Sequence, residues 1–448
     1  MNYIIYSDLV VFENEVKSSF LWIKDGKFHE ISDTNPNNDL ELKSFEGKYI
    51  LPGLVDSHVH VNEPGRTDWE GFETATKACA AGGITTVVDM PLNCSPVTVS
   101  KDKFYTKLDI LKQDKLYVDT GFWGGVTPDS VNDLDELLKS GVLGVKSFLI
   151  DSGIDEFPPM DIDALNKAMP YLTKHKKPYL IHAEIDNGQG DGVNITPKYS
   201  TFLESRPKSF ENEAVLQMID LSKKHKTHVH IVHLSSADVL DDIALAKANG
   251  VNFTVETCPH YLTLEAEQIK DGQTLFKCCP PIREKSNQDL LWNGLKTGTI
   301  EMIVSDHSPC TANLKLQEEG DLKGAWGGVS SLQFTLSLIW NEALKRDFTP
   351  VDICRWMCTN PARLIGLSHY KGSIDLNNVA DFVIFDANDT FEIKQDDILY
   401  KNKISPYCGK QVTGKVHNTY LSGEMIYDHN NDLKNPSGNS IIKPSGLN

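Results

Sequence analysis

The stretch Leu51-Pro52-Gly53-Leu54-Val55-Asp56-Ser57-His58-Val59-His60 decides how the rest of the chain is read. An apolar run ends in two histidines two residues apart, so on a β-strand both imidazoles project from one face. Two neutral imidazoles converging on a point can chelate a metal ion from a single strand. The plain alternative is a polar strand end carrying two unrelated histidines. The further ligand candidates downstream weigh against it.

Outward from this strand, from about residue 50 to 366, short apolar runs alternate with helical stretches, the pattern of a parallel α/β architecture. The strand candidates are YILPGLVDSHVH, ITTVVDM, LYVDTGFWGGV, VLGVKSFLI, PYLIHAE, HVHIVHLSS, NFTVETCPH and EMIVSDH. Between the first two, Trp69, Phe72, Thr76 and Cys79 recur at helical spacing, and Gly82-Gly83 reads as the C-cap. Thr349-Pro350 reads as N-cap and first residue of a late helix. Strands alternating with helical crossovers in this number predict a (β/α)8 TIM barrel over residues 51–366.

The flanks differ. Residues 1–50 and 367–448 alternate like antiparallel strands, with turns at Asp25-Gly26 and Ser422-Gly423. Neither flank holds enough core alone, so the two are expected to combine into one small composite β-sandwich. The last stretch, from Asn430 onward, is polar and is expected to be loosely ordered.

A chain of 448 residues accommodates a barrel of ~250 residues and a smaller partner domain. Its net charge of −18 argues against nucleic acid and anionic membranes as partners. Nine cysteines, an odd number, accompany a start that reads as a strand rather than a secretory leader. Reduced thiols in a cytoplasmic compartment are therefore expected. No stretch approaches the ~20 apolar residues of a membrane span. Cys354 and Cys358 share a helical face, but no second ligand pair accompanies them, so no structural zinc is expected there.

Catalytic groups of such a barrel sit at the C-terminal ends of the strands. His58 and His60 end the first strand, and Lys146 lies in the fourth. His182 ends the fifth, His233 the sixth and Asp306 the eighth. One metal rarely needs so many groups; two metals sharing a ligand do. Lys146, flanked by Gly144-Val145 and Ser147-Phe148-Leu149, is costly to bury as an ammonium, so its pKa should fall. The neutral amine can add carbon dioxide and become a carbamate with two ligating oxygens. The alternative is an ammonium paired with a nearby acid. His228 and His230 have the opposite strand parity to His233 and are expected to pack behind the site. His307 is expected to support the ligands from behind. His260 either orients substrate or metal-bound water, or is structural.

The strings PGLVDSHVH, GVKSF, HAE, HIVHLSS, ETCPHYLT, CCPPIR and SDHSPC, in this order, resemble the cyclic amidohydrolases. That superfamily includes dihydroorotases, hydantoinases and allantoinases, and the resemblance covers roughly residues 20–427. It implies a barrel with a composite β-sandwich and two divalent ions, zinc in type. His58 and His60 would hold one ion, His182 and His233 the other, with an N6-carboxylated Lys146 bridging. Asp306 would be both ligand and general base. HVHVNEPGRTDWEGFETAT, VDMPLN, GIDEFP, YSTFLESRP and GAWGGVSSLQ are similar to strings of the allantoinases in particular.

Dihydroorotases typically carry arginine where this chain has Asn62, and DHAPH where it has Asp306-His307-Ser308-Pro309-Cys310. Arginine there pairs with a substrate carboxylate; a neutral amide suits an uncharged ureide. The resemblance thus implies hydrolysis of allantoin to allantoate, a step of purine and ureide degradation. A hydroxide bridging the metals would attack, and Asp306 would pass its proton to the departing ring nitrogen. Substrate contacts are expected from Asn62, Asn93 and Ser308 and from backbone near Cys279 and Gly327. The long glycine-rich stretch 313–331 is expected to act as a lid. A homo-oligomer, tetramer or dimer, is also implied. The competing readings are a hydantoinase, dihydropyrimidinase or dihydroorotase acting on a related ring, and an inactive scaffold. Scaffolds of this kind lose ligands, whereas every ligand position is filled here.

Overall fold

The computed structural model describes residues 1–111, 116–430 and 432–443. All the strand candidates of the central region form, and they run parallel around a barrel. They are β1 Leu54–Val59, β2 Ile84–Asp89 and β3 Asp119–Phe122, which resumes at Gly124–Gly125. There follow β4 Val145–Phe148, β5 Tyr179–His182, β6 Val229–Ile231, β7 Phe253–Thr257 and β8 Met302–Ile303. The first half of β3 pairs with β2 and the second with β4, the break falling at Trp123. Trp123 spans that break by donating its indole N–H to Ser57 O in β1 (2.7 Å). Every residue of β1, β2, β4 and β5 is buried, as continuous apolar runs covered on both faces require.

Closure between β8 and β1 combines a backbone bridge, Val59 with His307, with a side chain. The Asp56 carboxylate accepts the Ser305 N–H (3.3 and 3.1 Å), and His60 N–H donates to His307 O (2.9 Å). A carboxylate thus stands in for a missing rung, which satisfies a backbone donor that burial would otherwise orphan.

Helices surround the barrel. The first, Phe72–Ala81, ends at Gly82 and then Gly83 (φ 80°). Trp69 belongs instead to the turn ahead of it, where its N–H bonds Arg66 O (2.9 Å). A Cβ at Gly83 would lie 3.1 Å from both Val383 methyls, so this left-handed residue also admits the terminal sheet. The late helix starts as read, with Thr349 and Asp352 capping one another reciprocally at its N-terminus.

Both termini contribute to one nine-stranded sheet outside the barrel. Its hinge is the strand Tyr49–Pro52, parallel to Asn2–Val11 and antiparallel to Phe382–Glu392. Alternation sorts the side chains of these strands. Phe382 and Ile384 join Tyr3, Leu21 and Phe28 in a small separate core, while Val383 and Phe385 join the barrel core. No helix among the described residues is long and apolar enough to cross a membrane.

The polar C-terminal stretch is not loose over its described part. Thr120 N–H donates to Asn439 O (2.9 Å), Ile441 N–H to Thr120 O (2.8 Å) and Asn439 N–H to Asp119 Oδ1 (2.9 Å). Residues 438–443 therefore run beside the start of β3. Backbone hydrogen bonding, which composition does not report, holds them.

Gly53 joins the terminal sheet to β1, donating its N–H to Asp381 O (2.8 Å). A Cβ there would stand 2.2 Å from Thr85 Oγ1 and 2.6 Å from Thr85 Cγ2. Gly53→Ala is expected to destabilise the fold by about 1–3 kcal/mol through overpacking. Adding Thr85→Ala should recover part of that loss, since it removes both atoms. Chemical denaturation of the single and double variants checks this; a Gly53→Ala chain as stable as the original refutes it.

Candidate metal centre

The strand ends bring the predicted ligands around one point. His58 Nε2 lies 3.1 Å from Lys146 Nζ and 3.2 Å from Asp306 Oδ1. His60 Nε2 lies 3.6 Å from the same Asp306 oxygen, and His182 Nδ1 lies 3.0 Å from His233 Nε2. The rings of His58 and His233 are 5.4 Å apart, which joins the two halves. All these side chains are buried.

Burial lowers the pKa of all four imidazoles, so each is neutral with one lone pair to give. Partners behind the rings choose which nitrogen that is. His58 Nδ1–H donates to Glu256 Oε1 (2.5 Å) and His182 Nε2–H to Glu184 Oε2 (2.7 Å). Nε2 of His58 and Nδ1 of His182 are left facing the cluster. The face of His182 stacks on Phe148 at 4.3 Å.

Two of the candidate ligands hold strained backbone. His233 (φ 41°) and Asp306 (φ 42°) are left-handed without being glycine, as are Asn62 (φ 66°) and Asn93 (φ 63°). Such conformations persist only where the surroundings impose them, and here they turn strand ends into the mouth.

Lys146 has no carboxylate in hydrogen-bond contact among the described residues; it faces His58 and lies 5.2 Å from the Phe148 ring centroid. Burial pulls it down to about 8, despite the opposing charges of Asp306 and Glu256. Asp306 is pushed up to about 7 by burial, with Lys146 opposing. Converging neutral nitrogens beside a carboxylate fit a divalent cation. His58, His60 and Asp306 offer ligand atoms all within 4.8 Å of one another.

Residues 49–426 match the sequence profile of the amidohydrolase family. The chain belongs to the amidohydrolase family. It is 48% identical to an allantoinase of Streptomyces avermitilis over 386 residues, 86% of each chain. It is 44% identical to an allantoinase of Saccharomyces cerevisiae over 400 residues, 88% of this chain and 86% of the other. Among solved structures it superposes on an L-hydantoinase (dihydropyrimidinase) from Arthrobacter aurescens with a TM-score of 0.93, covering 99% of this chain and 100% of that one. Identity to that protein is 24%, a likeness of fold.

Within this amidohydrolase, the supports behind the ligands are what sequence reading missed. Glu256 joins three neighbours: His58 Nδ1, His230 Nε2 (3.0 Å) and His233 N–H (3.3 Å). Arg206 grips Glu184 with Nε (3.1 Å) and Nη2 (2.6 Å), a bidentate clamp. Asp89 accepts the Val61 N–H (3.0 Å) and pairs with buried Lys107 (2.5 Å). The available signal was an acid in an otherwise apolar buried strand, which must find a partner. His230 and His228 pack behind the site, His228 against Thr254 Oγ1 (2.8 Å). His307 accepts the His60 N–H on its carbonyl (2.9 Å) and sets its ring 3.3 Å from Glu70 Oε2.

A cavity of about 470 Å³ opens above the cluster. Asn93, Cys279, Ser308 and Gly327 line it, while Asn62 does not. Asn62, left-handed at φ 66°, donates Nδ2–H to Pro309 O (3.2 Å), and its buried Oδ1 has no hydrogen-bond partner. Arg206, Lys277 and Trp326 are unforeseen members of the lining. Two lysines fix the segment 313–331, Lys277 from the rim and Lys315 from within the segment. Lys315 Nζ donates to Trp326 O (3.0 Å) and Gly328 O (2.5 Å), and Lys277 Nζ to Lys323 O (3.0 Å) and Ala325 O (2.6 Å). All nine cysteines are free thiols.

Glu256→Gln keeps the shape behind His58 and removes the charge. Metal affinity is expected to fall about 10–100-fold with the fold intact. Competition with a chelator of known affinity measures it, and an unchanged affinity would refute a supporting role for Glu256.

Proposed function

We infer that this chain is an allantoinase, opening the ring of allantoin by hydrolysis of its cyclic amide to give allantoate. The observation that carries the reading is a complete ligand cluster in a chain so close to allantoinases over nearly its whole length. The proposed cofactors are two divalent cations, zinc by donor type. His58 and His60 would hold one, His182 and His233 the other, and a carboxylated Lys146 both, with Asp306 as a further ligand. When bound, such ions acidify water towards neutrality and polarise a carbonyl.

The chain's own residues do the rest. Asp306 Oδ1 accepts a hydrogen bond from Ser308 Oγ (2.9 Å), which aims the carboxylate at the mouth. As general base it takes a proton from water and delivers it to the departing ring nitrogen, so one C–N bond is exchanged for a carboxylate and an N–H. Against burial, Arg206 and His182 hold Glu184 down to about 2, keeping it an anion that fixes the His182 tautomer. Asn93, Ser308 and backbone near Cys279 and Gly327 suit a neutral ureide, and Leu92, Phe148 and Trp326 exclude water around it. Asn62 would act indirectly, by holding the loop at Pro309. The segment 313–331 acts as the lid. A cytoplasmic homo-oligomer, dimer or tetramer, completes the proposal.

Purified, metal-loaded protein is expected to hydrolyse allantoin and to leave dihydroorotate, a carboxylate, essentially untouched. Parallel assays on allantoin, hydantoin, dihydrouracil and dihydroorotate decide this. Faster turnover of any of the other three would overturn the allantoinase reading.

Lys146→Ala is expected to bind metal poorly and to lose nearly all activity. A short carboxylic acid supplied with metal should restore part of both, because it replaces the two oxygens of the carbamate. An acid without effect on metal content or turnover would count against the bridging lysine.

A further inference from the structure

His260 is the least satisfied polar side chain near the metal centre. It is fully buried, and neither ring nitrogen has a hydrogen-bond partner. Buried polar groups of this kind ordinarily have a protein, water or ion partner, so a doubly orphaned imidazole calls for a ligand. Cys258, His260 and Asp306 offer ligand atoms within 4.8 Å of one another, and all three residues are buried. We propose that Cys258, His260 and Asp306 form a site for an additional soft divalent cation, zinc in class, adjoining the binuclear cluster.

The fold brings these residues together for a definite reason. Parallel pairing of β7 with β8, through Glu256 with Met302 and Thr257 with Ile303, sets the two strand ends side by side. Cys258 directly follows β7, and His260 falls on the first turn of the helix Pro259–Thr263. Asp306, with its left-handed backbone, turns back towards them after β8. Oδ1 of Asp306 faces His58 and His60, so Asp306 is the residue common to both groups.

Thiolate, imidazole and carboxylate together select zinc over magnesium or calcium, and three protein ligands leave a fourth position for water. Burial pushes the Cys258 thiol well above its usual range, so without a cation it stays protonated. On binding, the metal–sulfur bond forms as the S–H bond breaks and the proton leaves to solvent, with no change of oxidation state. Taking Asp306 as the general base, which rests on the proposed function, an ion that occupies it makes this site inhibitory at excess zinc.

Cobalt(II) titration of the full chain tests the site, because sulfur is absent from the other ligand set. A thiolate-to-cobalt charge-transfer band should grow as one further equivalent binds beyond the cluster. Cys258→Ser should abolish the band and that equivalent, and His260→Gln should weaken its binding at least about tenfold. No band in the wild type, or a band that survives Cys258→Ser, overturns the proposal. A band that appears without inhibition of hydrolysis leaves the site standing and removes Asp306 from the role of base.

Discussion

Glu256 is the interaction on which the centre depends. A carboxylate in the middle of the barrel is tolerable only when its lone pairs are taken, and here three donors from two other strands and their ends take them. In satisfying itself it fixes the tautomer of His58, the ring of His230 and the backbone of His233. Burial would push this acid up to about 8 even against Lys146. A cation in the mouth is the natural counterweight, so the supporting layer and the metal-binding layer need one another.

The same logic runs around the rim. Glu184 is held by Arg206 as it holds His182, and Asp89 is held by Lys107 as it holds the turn after His60. His58 and His182 are each aimed by a buried acid, and the acid behind His182 is itself held by Arg206. Left-handed backbone at His233 and Asp306 is the strain this aiming requires. Lys277 and Lys315 work differently, their ammonium groups capping backbone carbonyls of the loop that follows the 3-10 turn Ala312–Lys315. They set Trp326 over the cavity, edge-on to Trp69 at 5.0 Å.

Much of this was legible beforehand, and for identifiable reasons. Strands buried on both faces are continuous apolar runs, so the barrel strands stood out. Ligands at strand ends are separated in sequence but carry a chemistry that apolar surroundings make conspicuous. His58, His60, Lys146, His182, His233 and Asp306 were read as candidates that way, and the strand ends bring them to one point. Asn62 was read as a substrate contact because dihydroorotases carry arginine there. Its Nδ2 bonds Pro309 O while Oδ1 has no partner, neither of which spacing reveals. The C-terminal stretch looked loose because it is polar, yet within its described part Asp119 and Thr120 of β3 hold residues 439–441.

Residue type and periodicity by themselves determined the architecture and the candidate donors, because burial and donor chemistry are local. Tertiary structure alone decided which nitrogen of each imidazole faces inward, which acids stand behind them, and which polar residues reach the cavity. Those outcomes depend on contacts between strands far apart in sequence and on single backbone dihedrals. Neither leaves a periodic trace in the chain. His260 is the clearest case: a histidine at a strand end like the others, whose lack of any partner became visible only once its surroundings were assembled.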